Sequence, residues 1–259
     1  IRDDLVTGVQ TCALPISANT FASGPCMLRA AGQEHNHRFL IERAVAIARE
    51  AIAACGFEDR AVVAGSMSHM IPVLAGTDAV DPALGDVPDG FIEDCERHAS
   101  ALADAGVDMI LLEMMYHPQP AAIAKDAACA TGLPVWFGLS LREGGNGSPT
   151  LFDQHAERPM NELFHLLDSR VSAVGIMHTR ADLVEPAIEQ LRSHWNGPIA
   201  VYPDSGHFEM PQWNFDDVMT PDAFAGYAKR WRDLGCCAVG GCCGLGPEHI
   251  SQLTPWRAV

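Results

Sequence analysis

Two adjacent cysteines, Cys242 and Cys243, are the residues of this sequence best suited to chemistry. They lie in the glycine-rich segment 240–244 (GGCCG), directly after an apolar stretch that ends at Val239. Glycines there allow a tight turn and the close approach of a ligand, and two thiolates can share one soft, tetrahedral metal such as zinc. A catalytic zinc site also needs a third protein ligand and an open position for substrate. Another strand end must supply that ligand, unless both cysteines are ordinary loop residues.

A second adjacent pair, Cys236 and Cys237, has a different setting. It lies inside an apolar strand pattern, where cysteine behaves as a small hydrophobic residue, so we assign it to structure. The chain has nine cysteines, and an odd number scattered over 259 residues favours a reduced protein over a disulfide framework. This indicates a cytoplasmic protein.

The charge balance restricts the classes of partner. With 33 acidic and 17 basic residues, the formal net charge is -16 at pH 7. Such a surface repels phosphate backbones and anionic lipid headgroups, so we expect neither a nucleic acid nor a membrane as partner. No apolar run approaches the roughly 18 residues that cross a bilayer. Small molecules are the expected partners, and the sequence leaves the oligomeric state open.

Short apolar, β-branched segments alternate along the chain with segments of helical periodicity. Alternation of this kind implies parallel strands joined by crossover helices, which is the α/β class. The predicted strands are 61–66, 108–113, 134–139, 171–176, 198–202 and 236–240, and the predicted helices are 38–55, 90–105, 120–131, 181–194 and 221–234.

Three long polar stretches, 76–90, 142–159 and 204–220, follow strands rather than helices. Long loops at the strand exits are where a parallel barrel enzyme has its site. A doubly wound open sheet is the alternative, but no glycine fingerprint of a dinucleotide or phosphate loop occurs at any strand-to-helix turn. The pattern therefore favours a (β/α)8 TIM barrel.

Five motifs, in the same order along the chain, resemble those of the homocysteine S-methyltransferase family. The resemblance covers about residues 18–255 and implies a (β/α)8 barrel with a zinc cofactor. It also implies methyl transfer to a thiol acceptor, homocysteine, giving methionine. The motifs are 18–21 (ANTF), 63–66 (VAGS), 106–114 (GVDMILLEM), 201–206 (VYPDSG), and 240–244 (GGCCG) followed by 247–250 (PEHI).

The third zinc ligand departs from the family pattern. The family has a cysteine in a Gly-x-Asn-Cys context at the end of the sixth strand, whereas the matching segment here, 174–179 (VGIMHT), has His178. Neutral imidazole is a normal zinc ligand, so His178, Cys242 and Cys243 remain a reasonable set. Two alternatives stay open: His178 has no metal role, or, more remotely, the neighbouring Met177 thioether binds the metal.

The resemblance also suggests the residues of a substrate pocket. Glu113 ends its strand and would hold the amino group of the substrate; a salt bridge to a neighbouring loop is its alternative role. Asp204 replaces an asparagine of the family, and the added charge would favour a cationic donor or a different acceptor. We predict no catalytic residue beyond the metal site. The pocket candidates are Asn19, Thr20, Glu113, Tyr202, Asp204 and Ser205.

The mechanism implied by the resemblance begins with the acceptor thiol, which is mostly protonated at neutral pH. Zinc would deprotonate it for attack on a methyl group carried by a sulfonium, ammonium or methylcobalamin donor. Two other readings stay open. One is a barrel hydrolase or lyase in which zinc activates water, as the histidine ligand suggests, and the other is an inactive zinc-binding fragment.

The first residues, 1–17 (IRDDLVTGVQTCALPIS), show no clean periodicity and resemble translated sequencing-adapter sequence. We expect a non-native or disordered arm over 1–17 and the barrel domain over 18–259; a native arm is the alternative. The six strands and a short one ending near Phe21 make seven, one fewer than a closed barrel needs. We therefore expect the first strand, with its Asp-Gly-x-x-Gly segment in the family, to be missing.

Overall fold

The computed structural model describes residues 14–72, 84–85, 87–153, 155–209 and 212–253, in which helices and strands alternate. The strands are β1 (Leu14–Ala18), β2 (Ala61–Ser68), β3 (Met109–Met115), β4 (Val135–Glu143), β5 (Pro149–Leu151), β6 (Ala173–Arg180), β7 (Ile199–Asp204), β8 (His207–Glu209), β9 (Gln212–Asn214) and β10 (Ala238–Val239). The α-helices are α1 (Pro25–Ala30), α2 (His37–Ala54), α3 (Phe91–Asp104), α4 (Pro118–Ala130), α5 (Ala181–Arg192), α6 (Pro221–Asp233) and α7 (Pro247–Ser251). Glu34–Asn36 and Met160–Leu166 form 3-10 helices.

Seven strands form one parallel sheet in the order β1-β2-β3-β4-β6-β7-β10. The order follows the chain without the reversal that defines a doubly wound sheet, so that alternative is wrong and the barrel prediction is confirmed. The six predicted strands and the short one before Phe21 are the seven of this sheet. Within the described residues no pairing joins β1 to β10, so these strands form seven of the eight positions of a (β/α)8 barrel.

The predicted N-terminal arm overlaps the first strand. Leu14 to Ala18 pair in register with Ala61 to Gly65 of β2, so the boundary expected after Ser17 falls inside β1. The earlier residues, 1–13, lie outside the described part of the chain. Leu14 and Ile16 are exposed, as expected for an edge strand without a second neighbour in the described residues.

The strands bury two different faces. The face toward the helices packs into the large core, with Phe137, Ile176 and Val201 fully buried. The opposite face lines the barrel interior, where Met109 and Leu111 pack with the half-buried Tyr202. Successive side chains of a strand alternate between these faces, and the carboxyl ends of all parallel strands meet at one rim.

The helices cover the outside of the sheet with one apolar stripe each. In α2, Ile41, Val45 and Ile52 are buried at helical spacing, and in α6 the stripe is Phe224 and Trp231. Among the described helices, none combines the length and the apolar composition needed to cross a membrane. The α/β layers thus fix the strand rim that presents the candidate site.

Two long loops contain strands that the sequence pattern did not predict. β5 pairs antiparallel with the end of β4 inside the segment 142–159, and β8 with β9 forms a separate two-stranded ribbon inside 204–220. Most of the third predicted loop, 76–90, lies outside the described residues. The described parts of both ordered loops follow strand ends, on the rim where the predicted site residues lie.

Candidate metal centre

Three potential ligands meet at the carboxyl rim of the barrel. His178 lies at the end of β6, and Cys242 and Cys243 follow β10. One nitrogen of His178 and the two sulfurs all lie within 4.8 Å of one another, and the sulfurs are 3.8 Å apart. All three residues are half-buried, so the group is neither sealed in the core nor spread over the surface. The sequence thus predicted a cluster that the fold does assemble.

The cysteine loop is held by backbone hydrogen bonds to β7. The amide of Gly240 donates to the Val201 carbonyl (2.8 Å), and the amide of Cys242 donates to the Pro203 carbonyl (2.9 Å). These bonds extend the parallel pairing of β10 and β7 beyond the last residue of β10. The loop therefore follows the edge of a rigid strand, which fixes where both sulfurs lie.

The glycines of this loop are required by its close packing. Gly244 has φ = 78°, in the left-handed region, and a Cβ atom there would overlap the Ser205 carbonyl oxygen. The amide of Ser205 in turn donates to the Cys243 carbonyl (2.8 Å). At Gly241 an added Cβ would lie 2.7 Å from the Cβ of Leu245. The chain can pass this closely only because these side chains are absent.

His178 reaches the cysteines through an irregularity in β6. Three residue steps of β6, from Met177 to Arg180, oppose two steps of β7, so β6 carries one extra residue. His178 lies within this bulge with φ = 43°, an uncommon value for a residue other than glycine. Strict alternation after Met177, which shares the interior face, would turn the next side chain toward the helices. The bulge instead brings the imidazole to the rim beside the thiols.

The two thiols do not share the same protonation behaviour. A hydrogen bond from the Cys242 thiol, together with the nearby His178, lowers the pKa of Cys243. The same hydrogen bond and burial raise the pKa of Cys242. One thiolate is therefore favoured in the pair without a cation, and a second becomes available when a metal replaces the shared proton.

Glu113 lies at the end of β3 and faces the barrel interior. The Ser66 hydroxyl donates to its carboxylate, and in the described part of the chain this is its hydrogen-bond partner. Burial raises the pKa of Glu113, the Ser66 hydrogen bond opposes that rise, and the charge of Cys243 adds to it.

Tyr202 places its hydroxyl beneath the same region. The hydroxyl oxygen is enclosed and has no hydrogen-bond partner among the described residues. The ring lies over two glycines: a Cβ at Gly138 would be 2.7 Å from the hydroxyl, and one at Gly175 would be 3.0 Å from the ring. Burial raises the pKa of Tyr202, with the charges of Glu113 and Cys242 adding to the effect. The hydroxyl is therefore neutral, and its oxygen has almost no surface open to a ligand.

The other pocket candidates separate into two groups. Asp204 lies beside the metal cluster, with its Oδ2 atom 3.5 Å from Nδ1 of His178. Thr20 and Ser205 serve the scaffold: the Thr20 hydroxyl donates to the Ser66 carbonyl (2.7 Å), and the Ser205 hydroxyl accepts from the Met219 amide (2.8 Å).

Asn19 differs from these residues because it is exposed. Its place at the end of β1 puts it on the rim, but the described contacts do not bring it into the metal cluster. Its role in binding substrate remains a prediction.

Sequence reasoning missed an aromatic row next to the cluster. The Phe152 ring lies 5.0 Å from the ring of His178, and the Tyr116 ring lies 6.1 Å from Phe152. His69, buried behind them, accepts hydrogen bonds from the amides of Tyr116 (3.1 Å) and His117 (3.4 Å). These residues follow different strands, so no sequence motif links them. The only feature of the sequence that pointed to Phe152 was its position in 142–159, a loop that follows a strand.

A parallel barrel with a cluster of metal-binding side chains at the carboxyl ends of its strands belongs to the TIM-barrel class with a rim site. The family model described as homocysteine S-methyltransferase matches residues 10–256. The chain belongs to the homocysteine S-methyltransferase family.

The curated relatives that match this chain include homocysteine S-methyltransferases and a selenocysteine methyltransferase. Homocysteine S-methyltransferase 4 of Zea mays is 30% identical over 171 residues, covering 63% of this chain and 47% of the relative. Homocysteine S-methyltransferase YbgG of Bacillus subtilis is 26% identical over 65% of this chain and 52% of its own length. The selenocysteine methyltransferase of Astragalus bisulcatus is 26% identical over 74% and 57%. The chain thus spans about half the length of the curated relatives it matches.

Solved structures support the fold. The metallated form of the homocysteine methyltransferase MmuM from Escherichia coli has a TM-score of 0.67 with this chain at 23% sequence identity. The match covers 93% of this chain and 79% of that one. The oxidised form gives a TM-score of 0.66 at 21% identity.

Proposed function

We propose that this chain is a zinc-dependent S-methyltransferase that moves a methyl group from a small donor to a thiol acceptor, homocysteine, giving methionine. The observation that carries the proposal is the convergence of His178, Cys242 and Cys243 within 4.8 Å at the barrel rim. Membership of the homocysteine S-methyltransferase family supports the same reaction. The odd number of scattered cysteines supports a cytoplasmic setting, and the net negative charge supports small-molecule partners.

The donor set fits zinc. One imidazole nitrogen and two thiol sulfurs are typical ligands of this borderline-soft ion, whereas magnesium and calcium prefer oxygen ligands. Three protein ligands also leave a fourth tetrahedral position for a substrate atom. When bound, zinc would keep the sulfur of the acceptor deprotonated at neutral pH.

The surrounding side chains would bind and orient the acceptor. Glu113, already fixed by the Ser66 hydroxyl, can accept hydrogen bonds from the substrate ammonium group. Tyr202 lies beneath this region with its hydroxyl enclosed, so its ring would form part of the pocket floor. These side chains are held by strands, so they lose little conformational entropy when the acceptor binds. The sulfur of the bound acceptor would then be directed toward the cysteine loop.

The aromatic row supports an onium donor. The Phe152 ring lies beside His178 and the Tyr116 ring lies next to Phe152, and aromatic faces attract methyl groups that carry part of a positive charge. Asp204 adds a carboxylate on the same side. These groups favour a sulfonium or ammonium donor over methylcobalamin, and they would exclude water from the reacting methyl.

The experiment that tests the proposal is a matrix of donors and acceptors with the purified zinc-loaded protein. The donors are S-methylmethionine, betaine and methylcobalamin; the acceptors are homocysteine, cysteine and selenocysteine, the last because one relative is a selenocysteine methyltransferase. We expect methionine from homocysteine with at least one onium donor, and the same product to disappear in Cys242→Ser/Cys243→Ser. Zinc-loaded protein without methyl transfer in any combination would contradict the proposal.

A further inference from the structure

The imidazole of His178 faces a carboxylate on the neighbouring strand. Oδ2 of Asp204, at the end of β7, lies 3.5 Å from Nδ1 of His178, slightly longer than an ordinary N–H···O hydrogen bond. Both side chains are half-buried, with 13% and 14% of their surfaces exposed. The pair is therefore placed for a direct hydrogen bond in a partly desolvated setting.

The nearest arginine does not compete for this carboxylate. Arg180 opposes Asp204 in the strand register, but its guanidinium binds Asp182 (2.6 Å) and Glu143 (3.1 Å) on the outer surface. In the described part of the chain, the ion pair of Asp204 is with His178. The carboxylate is thus directed at a potential metal ligand and not at a structural cation.

We propose that Asp204 is the positioning residue of His178: it accepts the Nδ1 proton, so that Nε2 is the nitrogen that would bind a metal. This inference rests on the metal centre of the proposed function. A nitrogen that carries a proton cannot bind a metal, so the partner of one ring nitrogen decides the tautomer and the orientation of the other. Carboxylate partners of this kind also strengthen the imidazole as a donor.

The resemblance to the family implies cysteine at position 178 and asparagine at position 204, and these two departures then have one explanation. Histidine in place of cysteine at position 178 removes one thiolate charge from the ligand set. Aspartate in place of asparagine at position 204 returns one negative charge at 3.5 Å from the new ligand. A thiolate has no proton to donate and would be repelled by that carboxylate. The two substitutions therefore favour each other.

A double-mutant cycle tests this coupling, with zinc affinity as the readout. Zinc alone is titrated against a competing chromogenic chelator for the full chain, Asp204→Asn, His178→Cys and the combination of both. With His178 present, Asp204→Asn should weaken zinc binding about 10- to 100-fold, as is common when the partner of a ligating histidine is lost. With His178→Cys, the same change should leave zinc affinity unchanged or raise it, because it removes a like charge beside a thiolate.

Controls separate this role from a structural one. Thermal unfolding of the metal-free variants checks that Asp204→Asn does not act through stability. Asp182→Asn removes an equal charge from the Arg180 cluster and should leave zinc affinity within about twofold in both backgrounds. The inference would be overturned, while the metal centre stands, if Asp204→Asn weakened zinc binding equally in both backgrounds. It would also be overturned if Asp204→Asn left zinc binding unchanged with His178 present. Unchanged zinc affinity in His178→Ala would instead overturn the metal centre and the inference together.

Discussion

The shape of the cysteine loop depends on Gly244, and this dependence can be measured. An alanine there would adopt φ = 78°, and its Cβ would overlap the Ser205 carbonyl oxygen. The left-handed conformation costs about 1–2 kcal/mol for a residue with a Cβ, and overpacking typically costs about 1–3 kcal/mol. The combined cost of keeping the loop in place is therefore about 2–5 kcal/mol.

The loop should move rather than accept this cost. Movement would break the bond between the Ser205 amide and the Cys243 carbonyl and would shift both sulfurs away from His178. If the free energy of zinc binding becomes less favourable by the lower value, about 2 kcal/mol, zinc affinity falls roughly 30-fold, since about 1.4 kcal/mol corresponds to tenfold. Zinc competition titration of Gly244→Ala measures this loss directly.

Gly240 provides the matched control in the same loop. An added Cβ there would lie 3.6 Å from the nearest atom, the Cβ of Tyr202, which is an ordinary contact, and its backbone does not require glycine. Gly240→Ala should therefore keep zinc affinity within a few-fold of the unmodified chain. If both alanine variants bind zinc equally well, the loop is not shaped by close packing at Gly244 and the reasoning is refuted.

Three further predictions concern the ligand set, the acceptor and acid stability. His178→Ala should weaken zinc binding at least tenfold in a competition titration while the thermal unfolding midpoint of the apoprotein stays near that of the parent, and His178→Cys should restore binding. Glu113→Gln should raise the KM for homocysteine about tenfold or more with a smaller change in kcat, since it removes a charge that binds the ammonium group; an unchanged KM would exclude that role. Burial lowers the pKa of His69 to about 4, so protonation of His69 opposes folding at acid pH. The free energy of unfolding should be at its full value above about pH 6.5 and should fall, by about 3 kcal/mol at most, as the pH falls through 4. Urea unfolding should show a smaller fall over this pH range in His69→Gln, and an equal fall would contradict the prediction.

The strand order could be predicted from local pattern, and the ligand cluster from local pattern together with the resemblance to the family. Parallel strands buried on both faces give continuous apolar runs, such as the run from Met109 to Leu112 that precedes Glu113. Cys242 and Cys243 follow such a run, and the carboxyl ends of parallel strands share one rim. The family motifs then selected His178 as the third member, and the structure places it with the other two.

Other features depend on distant contacts that no local pattern encodes. The bulge at His178 has no glycine to mark it, so alternation alone would have directed the imidazole away from the site. The pairing of Asp204 with His178 and of Ser66 with Glu113 joins residues of neighbouring strands through register, which the sequence does not state. The bond from the Thr20 hydroxyl to the Ser66 carbonyl of β2 is a further contact of this kind, and the role of Thr20 in lining the pocket stays a prediction.

Zinc stoichiometry tests the central claim most directly. Metal analysis of the purified chain should give about one zinc per molecule, and Cys242→Ser/Cys243→Ser should lose it. The second adjacent pair supplies the matched control: Cys236 is buried and the Cys237 thiol donates to the Ile199 carbonyl, so Cys236→Ser/Cys237→Ser should retain zinc in the protein that folds. Full zinc occupancy in Cys242→Ser/Cys243→Ser, or loss of zinc only from the control pair, would contradict the assignment of the metal centre.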